Sequence, residues 1–160
     1  MNKKGNSVVD AFYIVMFIVI FAIVTMICFK VNNTIQPSLE SQMPNDGVRN
    51  VTANVTKAFV TMDFVIVMVA ILLFMITVVS AYFIDTHPVF FVVSLVMVAM
   101  FLMIVPMMAN LWDSIAGTSQ FTTERAAMPT TDIFLSNLPL IFLAFAGLGV
   151  IATYAKYRSQ

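Results

Sequence analysis

The sequence predicts an all-α integral membrane protein whose four transmembrane helices form two helical hairpins, with helices 1 and 2 projecting beyond the bilayer. Three observations predict it. Hydrophobic residues make up 61% of the 160 and charged residues only 10%, against roughly 45–50% and about 25% in soluble domains. Four charge-free runs, Ala11–Phe29, Phe64–Ile84, Val89–Leu111 and Ile133–Ala155, hold 19, 21, 23 and 23 residues. About 20 residues cross a hydrocarbon core. Finally, apolar positions continue at helical spacing past the inner ends of the first two runs. A soluble enzyme, a nucleic-acid binder and a disordered chain are excluded. Eight basic and eight acidic residues can neither coat a soluble surface nor set up a net field towards nucleic acid.

Lipid offers backbone groups no partners, so each run closes its own hydrogen bonds as an α-helix. None shows the polar alternation of a barrel strand. The spans fall at about 9–31, 60–83, 88–112 and 132–155 of a single four-helix domain over 1–160. Asp10 stands at the mouth of helix 1, where a carboxylate favours the positive end of the helix dipole. The first run follows Lys3 and Lys4 but is too long for a signal-peptide core and lacks a small-residue cleavage site, so it reads as a retained helix.

Val31 and Ile35 continue the spacing of Val24, Ile27 and Cys28, which carries helix 1 to Gln36 and stops it at Pro37. Helix 2 starts near Asn45-Asp46-Gly47. From there Val48, Val51, Val55, Ala58, Phe59 and Met62 recur at three- and four-residue steps as one apolar stripe. The tip of the projecting hairpin then lies at Pro37–Gly47. Cover for the stripe comes either from the chain's own Val31 and Ile35 or from a neighbour.

Asp85-Thr86-His87-Pro88 reads as a tight turn, with Asp85 or Thr86 as cap and Pro88 in the first turn of helix 3. That makes helices 2 and 3 a close antiparallel pair. Helix 3 carries Pro106 and ends near Gly117, a short surface helix occupies Ser119–Met128, and Thr131 or Asp132 caps helix 4. The polar connections 32–58 and 113–131 share one side of the membrane, opposite both termini. Lys3, Lys4, Lys156 and Arg158 tie in number with Lys30, Arg49, Lys57 and Arg125 under the positive-inside rule. Snorkelling of Lys30 and Lys57 tips the reading to termini in the cytoplasm or a virion interior.

Several residues stand out as sites. Asp63 is an acid at the start of span 2, where a proton or ion pathway is one reading. A carboxylate at headgroup depth is the favoured one, because 21 uncharged residues still follow it. Asn137 with Pro139 interrupts helix 4; such a break can line a transport site, but packing within the bundle or against a neighbour is the favoured cause. Ala144, Ala146, Gly147 and Gly149 form a small-residue strip suited to close helix packing. Val48, Val51 and Val55, with Trp112, Phe121 and Arg125 of the other connection, are the candidate interface. Trp112 also fits an aromatic belt with Tyr13 and Tyr154. One histidine and one cysteine cannot assemble a metal site, and neither a catalytic motif nor a cofactor loop occurs. No catalytic, cofactor-binding or metal residues are expected.

The opening Met-Asn-Lys-Lys-Gly with Asp10-Ala11-Phe12-Tyr13, the turn Phe83-Ile84-Asp85-Thr86-His87-Pro88 and the ending Tyr154-Ala155-Lys156-Tyr157-Arg158 resemble small four-helix membrane proteins of prokaryotic icosahedral viruses with an internal lipid membrane. That resemblance implies a structural role in the virion bilayer, tying membrane to capsid, and defines no catalytic residues. The expected partners are the lipid bilayer, further copies of the chain, and capsid or other membrane proteins. The competing expectations are a small oligomeric channel or holin-like pore, and an accessory subunit of a cellular membrane complex.

The topology is tested by single-cysteine labelling at Ser41→Cys and Ser159→Cys in a Cys28→Ser background. The two positions should react from opposite sides of sealed vesicles.

Overall fold

The computed structural model describes residues 7–43, 45–83 and 88–158. Six helices follow in order: α1 Ser7–Gln42, α2 Asp46–Phe83, α3 Pro88–Ala116, α4 Thr122–Ala126, α5 Pro129–Ser136 and α6 Leu138–Arg158. Four of them, α1, α2, α3 and α6, are long and apolar enough to cross a membrane. The chain is therefore a multi-span α-helical membrane protein. α1 and α2 make one hairpin; α3 and α6, joined through α4 and α5, make the other.

The hairpins lie side by side, α1 against α3 and α2 against α6, which leaves α2 and α3 on a diagonal. This corrects the expected close pairing of helices 2 and 3, since among the described residues these two share no seam. A short connection restrains only the ends it joins, while the buried face selects the neighbours. On α2 that face is Ile66, Ala70 and Phe74, and it meets α1 and α6. The Asp85-Thr86-His87 turn and the opening Met-Asn-Lys-Lys-Gly lie outside the described residues.

Lipid tails are as apolar as leucine, so the helices associate mainly by close packing and internal polar bonds. Each of the four seams carries a ring pair. Phe29 stacks on Phe59 with centroids 5.2 Å apart, Phe12 on Phe101 at 4.3 Å, Phe74 on Phe145 at 4.9 Å, and Phe142 meets Phe101 edge-on at 6.4 Å. Val15, Val19, Ala22 and Met26 fill the centre from α1, where all four are fully buried.

α1 and α2 contain 36 and 38 residues, or about 54 and 57 Å at 1.5 Å per residue. Either helix outreaches a hydrocarbon core of roughly 30 Å. Contrary to expectation, α1 does not stop at Pro37 but runs through it to Gln42. Proline removes one backbone bond and crowds the carbonyl four residues earlier, and side-chain bonds on either side of it compensate. Asn32 Nδ2 donates to Thr56 Oγ1 at 3.3 Å, Gln36 Nε2 donates to Glu40 Oε1 at 3.0 Å, and Thr52 Oγ1 donates to the same oxygen at 3.1 Å. α2 starts where expected, with Asn45 Oδ1 accepting the Gly47 N–H at 2.9 Å.

The seam of the projection is thus polar. Thr52 and Thr56 turn inward, and Phe59 leaves the predicted stripe to pack on Phe29. Val51 is 62% exposed and Val55 37%, while Val31 and Ile35 are 50% and 47% exposed on α1. The chain's own α1 does not cover the stripe.

The fourth span also differs from the single helix expected over 132–155. Asn137 ends α5, accepting the N–H groups of Leu140 and Ile141 on its carbonyl at 3.1 Å each, so that α6 starts afresh. Pro139 falls in the first turn of α6, where its missing N–H costs nothing.

The polar seam yields a local prediction. Thr52→Val with Thr56→Val keeps the volume and removes the cross-helix bonds, each worth about 1 kcal/mol. Amide exchange over residues 36–56 should quicken severalfold while membrane insertion stays unchanged. Unchanged exchange would show that the seam does not rest on those bonds.

Candidate functional site

Away from the projecting hairpin, a second set of polar groups converges where α5 folds back beside α2. α5 begins with Pro129, which has no N–H, and its N-cap residue Met128 makes no side-chain cap. The next two N–H groups, of Thr130 and Thr131, would be orphaned at a buried helix start. Asp63 accepts both: Thr130 N–H reaches Oδ2 at 3.0 Å and Thr131 N–H reaches Oδ1 at 2.6 Å. Thr131 Oγ1 then donates to the Asp63 carbonyl at 3.1 Å. Asp63 is only 6% exposed and Thr131 fully buried. The carboxylate of α2 therefore caps α5 from across the bundle, and the positive end of the α5 dipole reinforces the contact. This corrects the expectation that Thr131 or Asp132 caps the helix, and it gives Asp63 a partner that its own neighbourhood does not announce.

Asp132 is used elsewhere. Its Oδ1 accepts Trp112 Nε1 at 3.0 Å and Arg125 Nε at 2.8 Å. Arg125 Nη2 reaches on to Asp113 Oδ1 at 3.0 Å, and Ser136 Oγ donates to that same oxygen at 3.0 Å. α3, α4 and α5 are locked by this one network. The hydrogen bond to Asp132 holds the Arg125 guanidinium above its ordinary range; partial burial acts in the opposite sense and the charge of Asp113 reinforces the rise. Gly117 lets the chain leave α3 tightly, because a Cβ there would lie 2.5 Å from the Asp113 carbonyl oxygen. Trp112 is completely buried, which corrects its reading as a belt or interface residue. An indole N–H needs a partner when buried, and Asp132 supplies it.

Glu124 was not singled out by the sequence, yet it is only 1% exposed. Its Oε1 accepts Asn33 Nδ2 at 2.9 Å, and Lys30 Nζ stands 3.8 Å from its Oε2, which makes no hydrogen bond. A buried carboxylate without a cation is severely penalised, so Lys30 serves α4 as well as the membrane boundary. Only an acid in a short helix rich in small polar residues hinted at it: in Thr122–Ala126 it is the one acidic side chain.

The other sequence candidates scatter. Phe121 is half-buried against the core. Asn137 is exposed and turns its Nδ2 back to the Ile133 carbonyl at 2.8 Å, on its own helix. Ala144 is exposed, Gly147 half-buried and Gly149 buried, and a Cβ on either glycine would meet nothing within 4 Å. No neighbouring helix comes close at the two glycines, while Ala146 of the same strip is buried in the core. Val48 is half-buried, while Val51 and Val55 face outward from α2. Compared with known proteins, the chain matches no family model, no curated protein and no solved structure.

Asp63→Ala should remove both acceptors from the buried start of α5 and lower stability by about 2–4 kcal/mol. Asp63→Asn, which keeps one acceptor oxygen, should lose roughly half as much. Thermal unfolding in detergent reads the order, and melting of both variants with the parent would refute the capping role.

Proposed function

We propose that this chain is a structural membrane protein without catalytic activity, a virion membrane component that ties a lipid bilayer to capsid or to neighbouring membrane proteins. One observation carries the reading. Asp63, Asp113, Glu124 and Asp132 are all engaged in joining helices, so the acids that could perform chemistry or pass ions are committed to architecture. They stiffen one end of an otherwise apolar bundle into a platform whose rim, Thr118 to Gln120 with Thr122 and Thr123, is exposed. A rigid polar rim above a lipid-embedded bundle suits attachment to a protein shell. The viral assignment itself rests on the resemblance of the terminal and turn motifs. Under it the chain resides in the virion's internal membrane and, before assembly, in the host cell membrane.

A pore finds less support. Asp63 faces α5 and Asn137 faces its own helix, which leaves neither to line an aqueous path.

Ser119→Arg with Thr123→Arg alters the rim without touching the network beneath it. Insertion and melting should persist, while co-sedimentation with capsids from producing cells should fall about tenfold, the effect of losing roughly 1.4 kcal/mol. Full incorporation of the double variant would overturn the docking role. Ion flux through proteoliposomes that Asp63→Asn abolishes would replace the structural reading with a channel.

A further inference from the structure

We propose that the cleft between α1, α2 and α4 binds the headgroup of a phospholipid that carries a primary ammonium, with its phosphate on Lys30 and its ammonium on Glu124. Such a site does not depend on capsid docking.

The cleft has a volume of about 470 Å³, and Phe29, Lys30, Asn33, Pro37, Thr123 and Glu124 are among its lining residues. That volume falls within the range of small-ligand sites, about 300–1,000 Å³.

Its wall is short of donors. Glu124 is 1% exposed, and its Oε2 is the one buried side-chain oxygen without a hydrogen bond among the described residues. Lys30 Nζ stands 3.8 Å away, near enough to pair by charge but too far to donate a hydrogen bond. Pro37 leaves a second acceptor. It has no N–H to return to the Asn33 carbonyl four residues earlier in α1. Glu40 adds another carboxylate, so the lining holds two acids against one base, Lys30. An excess of acceptors and of negative charge suits a cation that donates hydrogen bonds, and a primary ammonium offers three N–H groups.

Depth identifies what carries that ammonium. Phe29 ends the charge-free run of span 1 and Lys30 is the first charge after it, which puts the mouth of the cleft at headgroup level. Asn33, which holds Glu124, lies three residues farther out, about 4.5 Å at 1.5 Å per residue. In an ethanolamine headgroup two carbons separate phosphate from ammonium, and the ammonium is the end remote from the acyl chains. The base and then the acid, met in that order on leaving the bilayer, match this sequence of charges. Lys30 lies on the open side of Glu124, 41% exposed against 1%. Turned to a phosphate at the mouth, it uncovers Oε2 for the ammonium, and the four charges alternate in sign. A soluble amine gives Lys30 no partner, and a choline headgroup brings a phosphate but no N–H.

The test reconstitutes the full chain in vesicles of equimolar phosphatidylethanolamine and phosphatidylcholine, extracts it in mild detergent, and counts the retained lipids by native mass spectrometry. Phosphatidylethanolamine should be retained over phosphatidylcholine at least about tenfold, since a site built to bind an N–H rejects the analogue that lacks it. Glu124→Gln keeps an oxygen for Asn33 but loses the charge, and should abolish the preference. Thr123→Trp, which fills the cleft from an exposed position, should abolish it as well, and serves where Glu124→Gln fails to fold. Lys57→Gln, on α2 outside the cleft, should leave it intact. Equal retention of the two lipids by the parent chain overturns the site. A preference that survives both cleft variants overturns it too. In a second arm, chain in phosphatidylcholine alone is given ethanolamine in solution. Binding of the free amine that Glu124→Gln abolishes, with no preference between the two lipids, assigns the cleft to a soluble amine and overturns the lipid reading.

Discussion

The structure depends on one carboxylate placed at the start of another helix. A helix start exposes N–H groups that must find partners, and burying one inside a bundle is costly unless an acceptor waits there. Asp63 is that acceptor for α5. Because the start of α5 finds these acceptors, the connection after α3 folds back against α2. Its return brings Asp132 onto Trp112 and Arg125, and it seats α4 so that Glu124 reaches Lys30 and Asn33 of α1. Every helix but α6 is tied in by a polar bond that follows from this placement.

The pattern suits a chain with few charges. Sixteen charged side chains cannot make a hydrophilic shell for 160 residues, but hydrogen bonds to charged groups are the stronger kind and gain further in a low-dielectric setting. Concentrating them at one end makes that end the one fixed by directional bonds. The membrane half is then held by ring stacking and small side chains, which specify neighbours less sharply. The fold is thus divided between an end fixed by directional bonds and a bundle held by closer but less specific packing.

Much of this was legible in the sequence. Lipid imposes helices on any long uncharged run, so the four spans and their pairing as two hairpins followed from composition and length. The start of α2 at Asn45-Asp46-Gly47 was legible because capping chemistry is local. The site was less so, because its logic is long-range. Asp63 and Thr131 are 68 positions apart, and nothing in either neighbourhood announces the other. Pro37 illustrates the same limit from the opposite side: its local preference to end a helix is overridden by Gln36, Glu40 and Thr52, whose bonds depend on where α2 lies. Trp112 looked like a boundary residue since its partner, Asp132, is brought near only by the fold.

The projecting hairpin shows where the remaining design pressure falls. A helical pair in water normally hides apolar residues in its seam and turns polar ones outward. Here the order is partly reversed: Thr52 and Thr56 meet Glu40 and Gln36 inside, while Val31, Ile35, Leu39 and Val51 stand outside. A polar seam has a consequence that an apolar one lacks. It fixes register, since amide and hydroxyl partners tolerate little sliding, and so it sets which faces of α1 and α2 point away. Those outward faces carry the apolar residues, and contiguous apolar surface in water is a mark of contact with another molecule. The seam therefore works as an orienting device. Its contribution to the stability of one chain is modest, but it decides the phase in which that chain presents its outer stripes to whatever stands beside it.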